Sequence, residues 1–245
     1  MKIMCFSPHP DDSEIFCAGT LAKYKSQGHD VAVAVMTRGD VGSPTLSRER
    51  IAAIRENEAR AASAIIGAEF FWLGYDDEFL YDTPEVRRNV IDVLREFQPD
   101  IVLCPDKDQD YHPDHTRTGQ IVWDTHVMAA VRLIATRHPV ANRIHDIWYY
   151  DTPAGIGFVP ETYVDITEVW DTKVKMVECH QSQNEWLEHI YGYPVTHILN
   201  TQFRFRGYQA GCAYAEAFRK ARMSPQTVAK DALLPGACES ARNAR

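Results

Sequence analysis

An alternation of short apolar runs with longer helical patterns is the feature that most constrains the fold. Four runs rich in β-branched or aromatic residues are typical of buried parallel strands. They cover residues 2–7, 30–36, 69–73 and 100–105, and helical patterns at 13–27, 47–66 and 84–97 lie between them. Because parallel strands need crossover connections, this order predicts a single-domain, doubly wound, Rossmann-like α/β fold, with a mostly parallel sheet and helices on both faces.

The second half of the chain carries weaker signals of regular structure. The expected elements are a further helix after His112, strands at 144–151 and 162–166, and helices at 168–182 and 208–222. The last residues, 223–245, show no clear periodicity. We therefore expect one domain over residues 1–222, followed by a C-terminal tail that is irregular or docks on a neighbouring molecule.

Composition and charge argue against several classes of function. The net charge of −8 disfavours a nucleic-acid partner, because affinity for phosphates rests on clustered Lys and Arg. No apolar run of about 18 residues is present to span a bilayer, and "MKIMCFSPHPDD" reaches proline and carboxylates too soon for a secretory signal. The six cysteines are scattered and form no C-x-x-C pair. We therefore expect a cytoplasmic protein with reduced thiols and no membrane partner.

Two clusters of histidine and carboxylate follow the first and fourth predicted strands. His9 and Asp12 lie three residues apart in "PHPDDSE", and His112 and His115 repeat this spacing in "HPDH". In the common strand order 3-2-1-4, the loops after strands 1 and 4 meet over the crevice where doubly wound folds bind ligands. His9, Asp12 and one of the two later histidines would supply three ligands and leave the fourth position for water, as in catalytic zinc sites.

The neighbouring side chains fit hydrolytic chemistry. Asp11 is placed to take a proton from a metal-activated water and pass it to a leaving amine. The histidine that does not bind the metal could stabilise an oxyanion as a cation, if a carboxylate such as Asp114 or Asp77 orients it. Imidazole and carboxylate ligands suit zinc, and ferrous iron is an alternative metal.

These motifs resemble those of a known family. "PHPDDSE" and "HPDH" are similar to the paired motifs of the LmbE/PIG-L family of zinc-dependent N-acetylglucosamine deacetylases, which includes bacillithiol- and mycothiol-type deacetylases and diacetylchitobiose deacetylase. "TRGDVGS", "RENEARAASAIIG", "LGYDD", "HQSQ" and "YAEAF" extend the likeness to Phe218. Ala18-Gly19 replaces a frequent Gly-Gly, and Glu78 stands where bacillithiol-type members carry arginine.

The resemblance implies that three residues bind the metal, that Asp11 is the general base and that Arg55 contacts the substrate. It also implies that His112 stabilises the oxyanion or protonates the amine. The full set of candidates comprises the metal ligands His9, Asp12 and His115, the catalytic residues Asp11, His112 and Asp114, and the substrate-binding residues Arg55 and Asp77. Simpler roles stay open for some of them. Arg55 could lie on an exposed, ion-paired helix face, and Asp77 or Asp114 could cap backbone groups.

By the same resemblance, we expect a hydrolase that removes the N-acetyl group from an N-acetylglucosamine-type sugar or glycoside with zinc-activated water. Its partner would be a small N-acetylated sugar, and family analogy suggests a homo-oligomer, namely a hexamer. One alternative is a zinc amidase acting on a larger amide, a thiol conjugate or a secondary metabolite. Another is a metal-binding module without turnover.

Overall fold

A computed structural model of the protein describes residues 1–143 and 145–223, which form seven strands and seven α-helices. The strands are β1 (Lys2–Ser7), β2 (Asp30–Thr37), β3 (Glu69–Tyr75), β4 (Ile101–Cys104), β5 (Asp146–Tyr150), β6 (Thr162–Asp165) and β7 (Ala215–Lys220). The helices are α1 (Asp12–Ser26), α2 (Arg48–Ile65), α3 (Pro84–Phe97), α4 (Pro113–Met128), α5 (Trp170–Glu178), α6 (Gln181–Tyr191) and α7 (Val195–Ala210). Among the described helices, none is both long and apolar enough to cross a membrane.

All seven strands form one sheet in the order β3-β2-β1-β4-β5-β7-β6. Strands β1 to β5 pair in parallel, and β7 runs antiparallel to both of its neighbours. This arrangement confirms the predicted α/β fold class and the 3-2-1-4 order. Since β1 lies between β2 and β4, the loops that follow these strands meet at one edge of the sheet.

Alternate residues of the central strands pack into two separate cores, one on each face of the sheet. Met4 and Phe6 of β1 contact the core formed with α3 and α4. Ile3 and Cys5 point the other way, into the core that α1, α5 and α7 cover. A strand buried on both faces reads as a continuous apolar run, which is why these strands could be predicted from the sequence.

Side-chain caps fix where several helices begin. The Ser47 hydroxyl accepts the Arg50 N–H at the start of α2, and the Thr83 hydroxyl accepts the Val86 N–H at the start of α3. Helix α4 is capped by a candidate site residue, because Nδ1 of His112 accepts the backbone N–H of Asp114. The same hydrogen bond thus ends the loop and orients the imidazole.

The helices expected in the second half of the chain need correction. The single helix expected at 168–182 is replaced by α5, which ends at Glu178, and by α6, which begins at Gln181. The helix expected at 208–222 is wrong: α7 ends just before Gly211, whose φ of 77° stops it, and residues 215–220 form β7. The predicted tail lies, from residue 224 onward, outside the described residues.

A buried ion pair connects this last strand to α1. Glu216 and Lys173 are both fully buried, and their side chains are 2.6 Å apart. The Glu216 carboxylate also accepts the backbone N–H groups of Gly19 and Thr20, at 2.9 and 2.7 Å. The Lys173 ammonium donates a second hydrogen bond to the carbonyl of Ile15. The pair therefore holds α1, the helix that begins at Asp12.

Candidate active site

The loops after β1 and β4 bring the two predicted motifs together at the carboxyl ends of the strands. Both motifs line one cavity of about 590 Å³. The candidate residues in its lining are His9, Asp11, Asp12, Arg55, Asp77, His112 and His115. Asp114 lies directly beside them, since its Oδ2 is 3.4 Å from Nε2 of His9. The fold thus assembles every candidate site residue in one place.

Two buried imidazoles contact one carboxylate oxygen of Asp12. Nδ1 of His9 lies 3.1 Å from Oδ2 of Asp12, and Nε2 of His115 lies 3.3 Å from the same oxygen. All three residues are buried. Two imidazole nitrogens and one carboxylate oxygen form a donor set that suits zinc and related divalent metals.

The second nitrogen of each of these imidazoles faces a carboxylate. Nε2 of His9 is 3.1 Å from Oδ1 of Asp77, and Nδ1 of His115 is 2.8 Å from Oδ2 of Asp110. Metal-binding histidines usually donate their remaining N–H to such a partner, which fixes the tautomer and the ring orientation. The arrangement therefore fits a metal bound through Nδ1 of His9 and Nε2 of His115.

Two overlapping groups in the described residues have donor atoms close enough to share one ion. One consists of His9, His112 and His115, and the other of His9, Asp77 and Asp114, with all donor atoms within 4.8 Å. The carboxylate of Asp114 already accepts the backbone N–H groups of Glu78 and Leu80, at 2.8 and 3.4 Å. Its geometry favours a role as hydrogen-bond partner of His9 over a role as metal ligand. The described residues thus contain a buried His/Asp cluster that could hold a metal; neither of the two groups includes Asp12, whose carboxylate oxygen instead contacts His9 and His115 directly.

Asp11 is held by a buried arginine. Nη2 of Arg55 donates to Oδ1 of Asp11 at 3.2 Å, and the guanidinium also donates to the carbonyls of Gly39 and Pro10. Burial raises the pKa of Asp11 to about 6, the nearby Asp12 charge acts in the same direction, and Arg55 opposes both. A carboxylate with such a pKa is suited to general base catalysis near neutral pH. Arg55 is buried, so the alternative of an exposed helix face is wrong.

His112 is oriented differently from our expectation. Its Nδ1 accepts the backbone N–H of Asp114 at 3.2 Å, which leaves the ring proton on Nε2, 3.3 Å from Oε1 of Glu78. The carboxylates of Asp114 and Asp77, expected to hold His112 as a cation, contact His9 instead. Burial lowers the pKa of His112, and the two neighbouring imidazoles add to this effect. His112 is therefore a neutral N–H donor that faces the cavity.

Sequence reasoning missed two residues of the site. Asp110 accepts the backbone N–H of His112 at 2.9 Å in addition to its contact with Nδ1 of His115. Gln183 lines the cavity, and its amide donates to the carbonyl of Gly42 at 3.1 Å. Each lies in a segment already singled out, because Asp110 precedes "HPDH" in the same loop and Gln183 ends "HQSQ".

Comparison with known proteins identifies the family. The pattern of PIG-L, described as GlcNAc-PI de-N-acetylase, matches residues 4–126, which include every candidate site residue. The chain belongs to the PIG-L family. The family predicted from "PHPDDSE" and "HPDH" is thereby confirmed.

Relatives of this PIG-L protein include named deacetylases. Diacetylchitobiose deacetylase of Thermococcus kodakarensis is 31% identical over 89% of this chain and 82% of its own. A probable N-acetyl-alpha-D-glucosaminyl L-malate deacetylase 2 of Bacillus anthracis is 29% identical over 74% of this chain and 80% of its own. The structure of N,N'-diacetylchitobiose deacetylase from Pyrococcus horikoshii aligns with a TM-score of 0.80 and 31% identity, over 92% of this chain and 87% of that one. These homologues are N-acetylglucosamine-type deacetylases, which is the class predicted from the sequence.

Proposed function

We propose that this PIG-L protein is a zinc-dependent N-deacetylase that hydrolyses the acetamide of an N-acetylglucosamine-type sugar or glycoside. The supporting observation is the convergence of His9 and His115 on one oxygen of Asp12, beside the arginine-held carboxylate of Asp11. The names of the relatives support an N-acetylated sugar as the substrate.

In this proposal His9, Asp12 and His115 hold the metal. When bound, zinc supplies Lewis-acid polarisation of the amide carbonyl and lowers the pKa of a water molecule. The carboxylates of Asp77 and Asp110 would each accept the N–H on the side of the ring away from the metal, which selects the tautomer in which Nδ1 of His9 and Nε2 of His115 can act as ligands. Ferrous iron would accept the same donors, so the choice of metal needs a measurement.

The protein's own groups would move the protons. Asp11 accepts a proton from the attacking water, and its pKa of about 6 keeps it mostly ionised at neutral pH before that step. The protonated Asp11 then returns this proton to the departing amine. Nε2–H of His112 donates a hydrogen bond to the acetamide oxygen as negative charge develops there. Arg55 keeps Asp11 in place throughout.

The first experiment measures acetate release by zinc-loaded and iron-loaded protein from N-acetylglucosamine, diacetylchitobiose and N-acetylglucosaminyl malate. Asp11→Asn should lower kcat by roughly 10²–10⁴-fold, which is the usual contribution of a general base. The variant should still bind one metal ion, because Asp11 is not among the proposed metal ligands. Asp108→Asn is the matched control, since Asp108 lies on the β4 loop with an exposed side chain.

Measuring metal binding and acetate release in the same variants distinguishes metal ligands from the general base. His115→Ala should abolish both metal binding and acetate release, whereas Asp11→Asn should abolish only the second. Wild-type protein that binds metal and releases no acetate from any of these sugars would contradict the proposal. A larger amide or a binding role would then be favoured. The homo-oligomeric state and cytoplasmic location remain predictions from the sequence.

A further inference from the structure

The cavity has two walls of different chemistry. The charged residues of its lining come from the loops after β1, β3 and β4, from the first turns of α1 and α4, and from α2. The other wall is built by Ile15 and Phe16 of α1, the segment after β5, and helices α6 and α7. Its main apolar side chains are Ile15, Ile156, Trp186, Leu187, Val195 and Ile198. Among the described lining residues, this wall contributes no charged side chain.

The two glutamine side chains of this apolar wall are already engaged, and its other polar side-chain groups are the Trp186 indole N–H and the Tyr193 hydroxyl. The amide of Gln183 donates to the carbonyl of Gly42 at 3.1 Å, and the amide of Gln202 donates to the carbonyl of Thr152 at 2.9 Å. A second sugar ring against this wall would therefore bring several hydroxyl groups to a surface with few free donors and acceptors. Burying a hydroxyl without a partner costs free energy, whereas burying an alkyl or aryl group there is favourable.

The apolar wall continues to the mouth of the cavity. Tyr193 and Ile156 are 48% and 64% exposed, although both line the cavity. A second cavity of about 340 Å³ shares Ala154, Tyr193, Ile198 and Gln202 with the first, and its lining adds polar residues of α7, namely His197, Thr201 and Arg206. The main cavity, of about 590 Å³, is within the range of roughly 300–1,000 Å³ typical of small-molecule sites. It has room for more than the reacting amide.

We infer that the substrate carries an apolar alkyl or aryl group, linked to the N-acetylated sugar, that packs against Trp186, Ile198 and Ile156. This inference rests on the proposed deacetylase function and specifies the substrate class. Such a substrate would differ from diacetylchitobiose, the sugar in the name of one relative, because the second unit of diacetylchitobiose is a polar sugar. The apolar group gains affinity by leaving water, while the charged wall performs the chemistry.

The test compares acetate release from three substrates: N-acetylglucosamine, diacetylchitobiose and n-octyl N-acetylglucosaminide, the last as both anomers below its micelle concentration. For the better octyl anomer, kcat/KM should exceed that for diacetylchitobiose by about tenfold or more, mainly through a lower KM, as expected for burial of several methylene groups. Equal or lower kcat/KM for both octyl anomers, with the simple sugars turned over, would overturn the inference and leave the proposed function standing.

Variants assign the effect to the wall. Trp186→Ala should reduce the octyl preference to about threefold or less, and Trp186→Phe should retain most of it, because an aromatic ring still fills the site. Tyr208→Ala is the matched control: Tyr208 is 84% exposed on α7 and does not line either cavity. A preference that survives Trp186→Ala unchanged would contradict the inference.

Calorimetry with n-octyl glucosaminide, the amine product, gives a readout that does not need turnover. Binding should show a negative heat-capacity change and should weaken about tenfold in Trp186→Ala. If no acetylated sugar is turned over but this Trp186-dependent binding is observed, the deacetylase proposal fails and the apolar site stands. If Trp186→Ala instead changes the mass of the protein in solution and leaves binding unchanged, the wall is an interface between copies, and the inference is overturned.

Discussion

Replacing Lys173 by Met should destabilise the protein strongly, because it leaves the buried Glu216 without its cation. Both side chains are fully buried, 2.6 Å apart. Burial lowers the pKa of Lys173, and the adjacent Glu216 counteracts that effect. Met preserves most of the length of the lysine side chain, so packing changes little. Breaking a buried pair from one side costs about 3–5 kcal/mol. In a chain of this size that corresponds to a fall in Tm of about 6–20 °C.

Urea unfolding followed by circular dichroism measures the loss, and a thermodynamic cycle isolates its cause. The double variant Lys173→Met/Glu216→Met should recover at least half of the stability, because it removes the uncompensated charge. That variant also removes the Glu216 carboxylate as an acceptor for the Gly19 N–H. The carbonyl of Ile15, which no longer accepts a hydrogen bond from Lys173, lies four residues before Gly19 and is the acceptor expected in a regular helix. Lys175→Met, an exposed site on the same helix, should change stability by no more than about 0.5 kcal/mol.

Two results would refute this reasoning. A loss below about 1 kcal/mol for Lys173→Met would show that the Glu216 carboxylate does not need its cation, as is typical of solvent-exposed pairs. A double variant as unstable as the single one would show that the uncompensated charge does not cause the loss, and that packing or the lost acceptor for the Gly19 and Thr20 N–H groups does.

Three further outcomes follow from the structure. Asp110→Asn should weaken metal affinity about 10- to 100-fold in chelator competition, because it perturbs the partner of His115. Burial lowers the pKa of His145 to about 3. Unfolding therefore lets this group take up a proton below about pH 6.5, and His145 should account for roughly 2 kcal/mol of stability lost by pH 5, measured as the difference between wild type and His145→Phe in urea unfolding. Gly119→Ala should cost about 1–3 kcal/mol in thermal unfolding, since its Cβ would lie 2.5 Å from the Pro105 carbonyl oxygen.

Each of these outcomes has its own control. Asp108→Asn, in the same loop as Asp110, should leave metal affinity unchanged. His145→Phe should remove its share of the acid loss, whereas exposed His197→Phe should not, and identical pH profiles for the two variants would contradict the assignment. Gly28→Ala is the comparison for Gly119→Ala: a Cβ there meets nothing within 4 Å, although its φ of +82° brings a backbone cost of its own.

The first half of the fold could be predicted because local and tertiary signals agree there. Strands such as β1 and β2 are buried on both faces, so every residue between the ends is apolar or small. The intervening helices begin at Ser47 and Thr83, which are favourable N-caps, and Pro84 fits the first turn of α3. Nothing in these segments favours a competing structure.

The C-terminal strand could not be predicted because its residues favour another structure locally. "YAEAF" contains alanine and glutamate, which are good helix formers, and a charge in its centre. In the fold Glu216 is buried against Lys173, and β7 pairs with β5 and β6 on either side. Pairing with strands that are distant in sequence overrides the local helix propensity, and the residues of the segment alone do not indicate this pairing.

The spacing of the two motifs predicted where the candidate metal ligands lie but left the choice between His112 and His115 open, and only the family resemblance selected His115; the hydrogen-bond partners of these residues could not be predicted. His9, Asp12 and His115 follow two strands whose adjacency is a general property of the fold. Which carboxylate faces which imidazole depends on loop conformation. Nδ1 of His112 accepts the backbone N–H of Asp114, so this ring is held by the helix N-terminus while the Asp114 carboxylate contacts His9. Glu78 reaches the site through a left-handed backbone conformation with φ of 66°.

The two walls of the cavity come from successive parts of the chain. Every candidate residue for chemistry lies within 4–126, whereas the apolar wall, apart from α1, comes from 153–202. Under the proposed function, reaction and selectivity would therefore be encoded in separable stretches of the chain. A chimera that exchanges 153–202 with a relative should inherit the relative's choice of substrate while retaining this protein's metal affinity. Within such a family, substrates can diversify by drift in the second stretch while the first stays fixed.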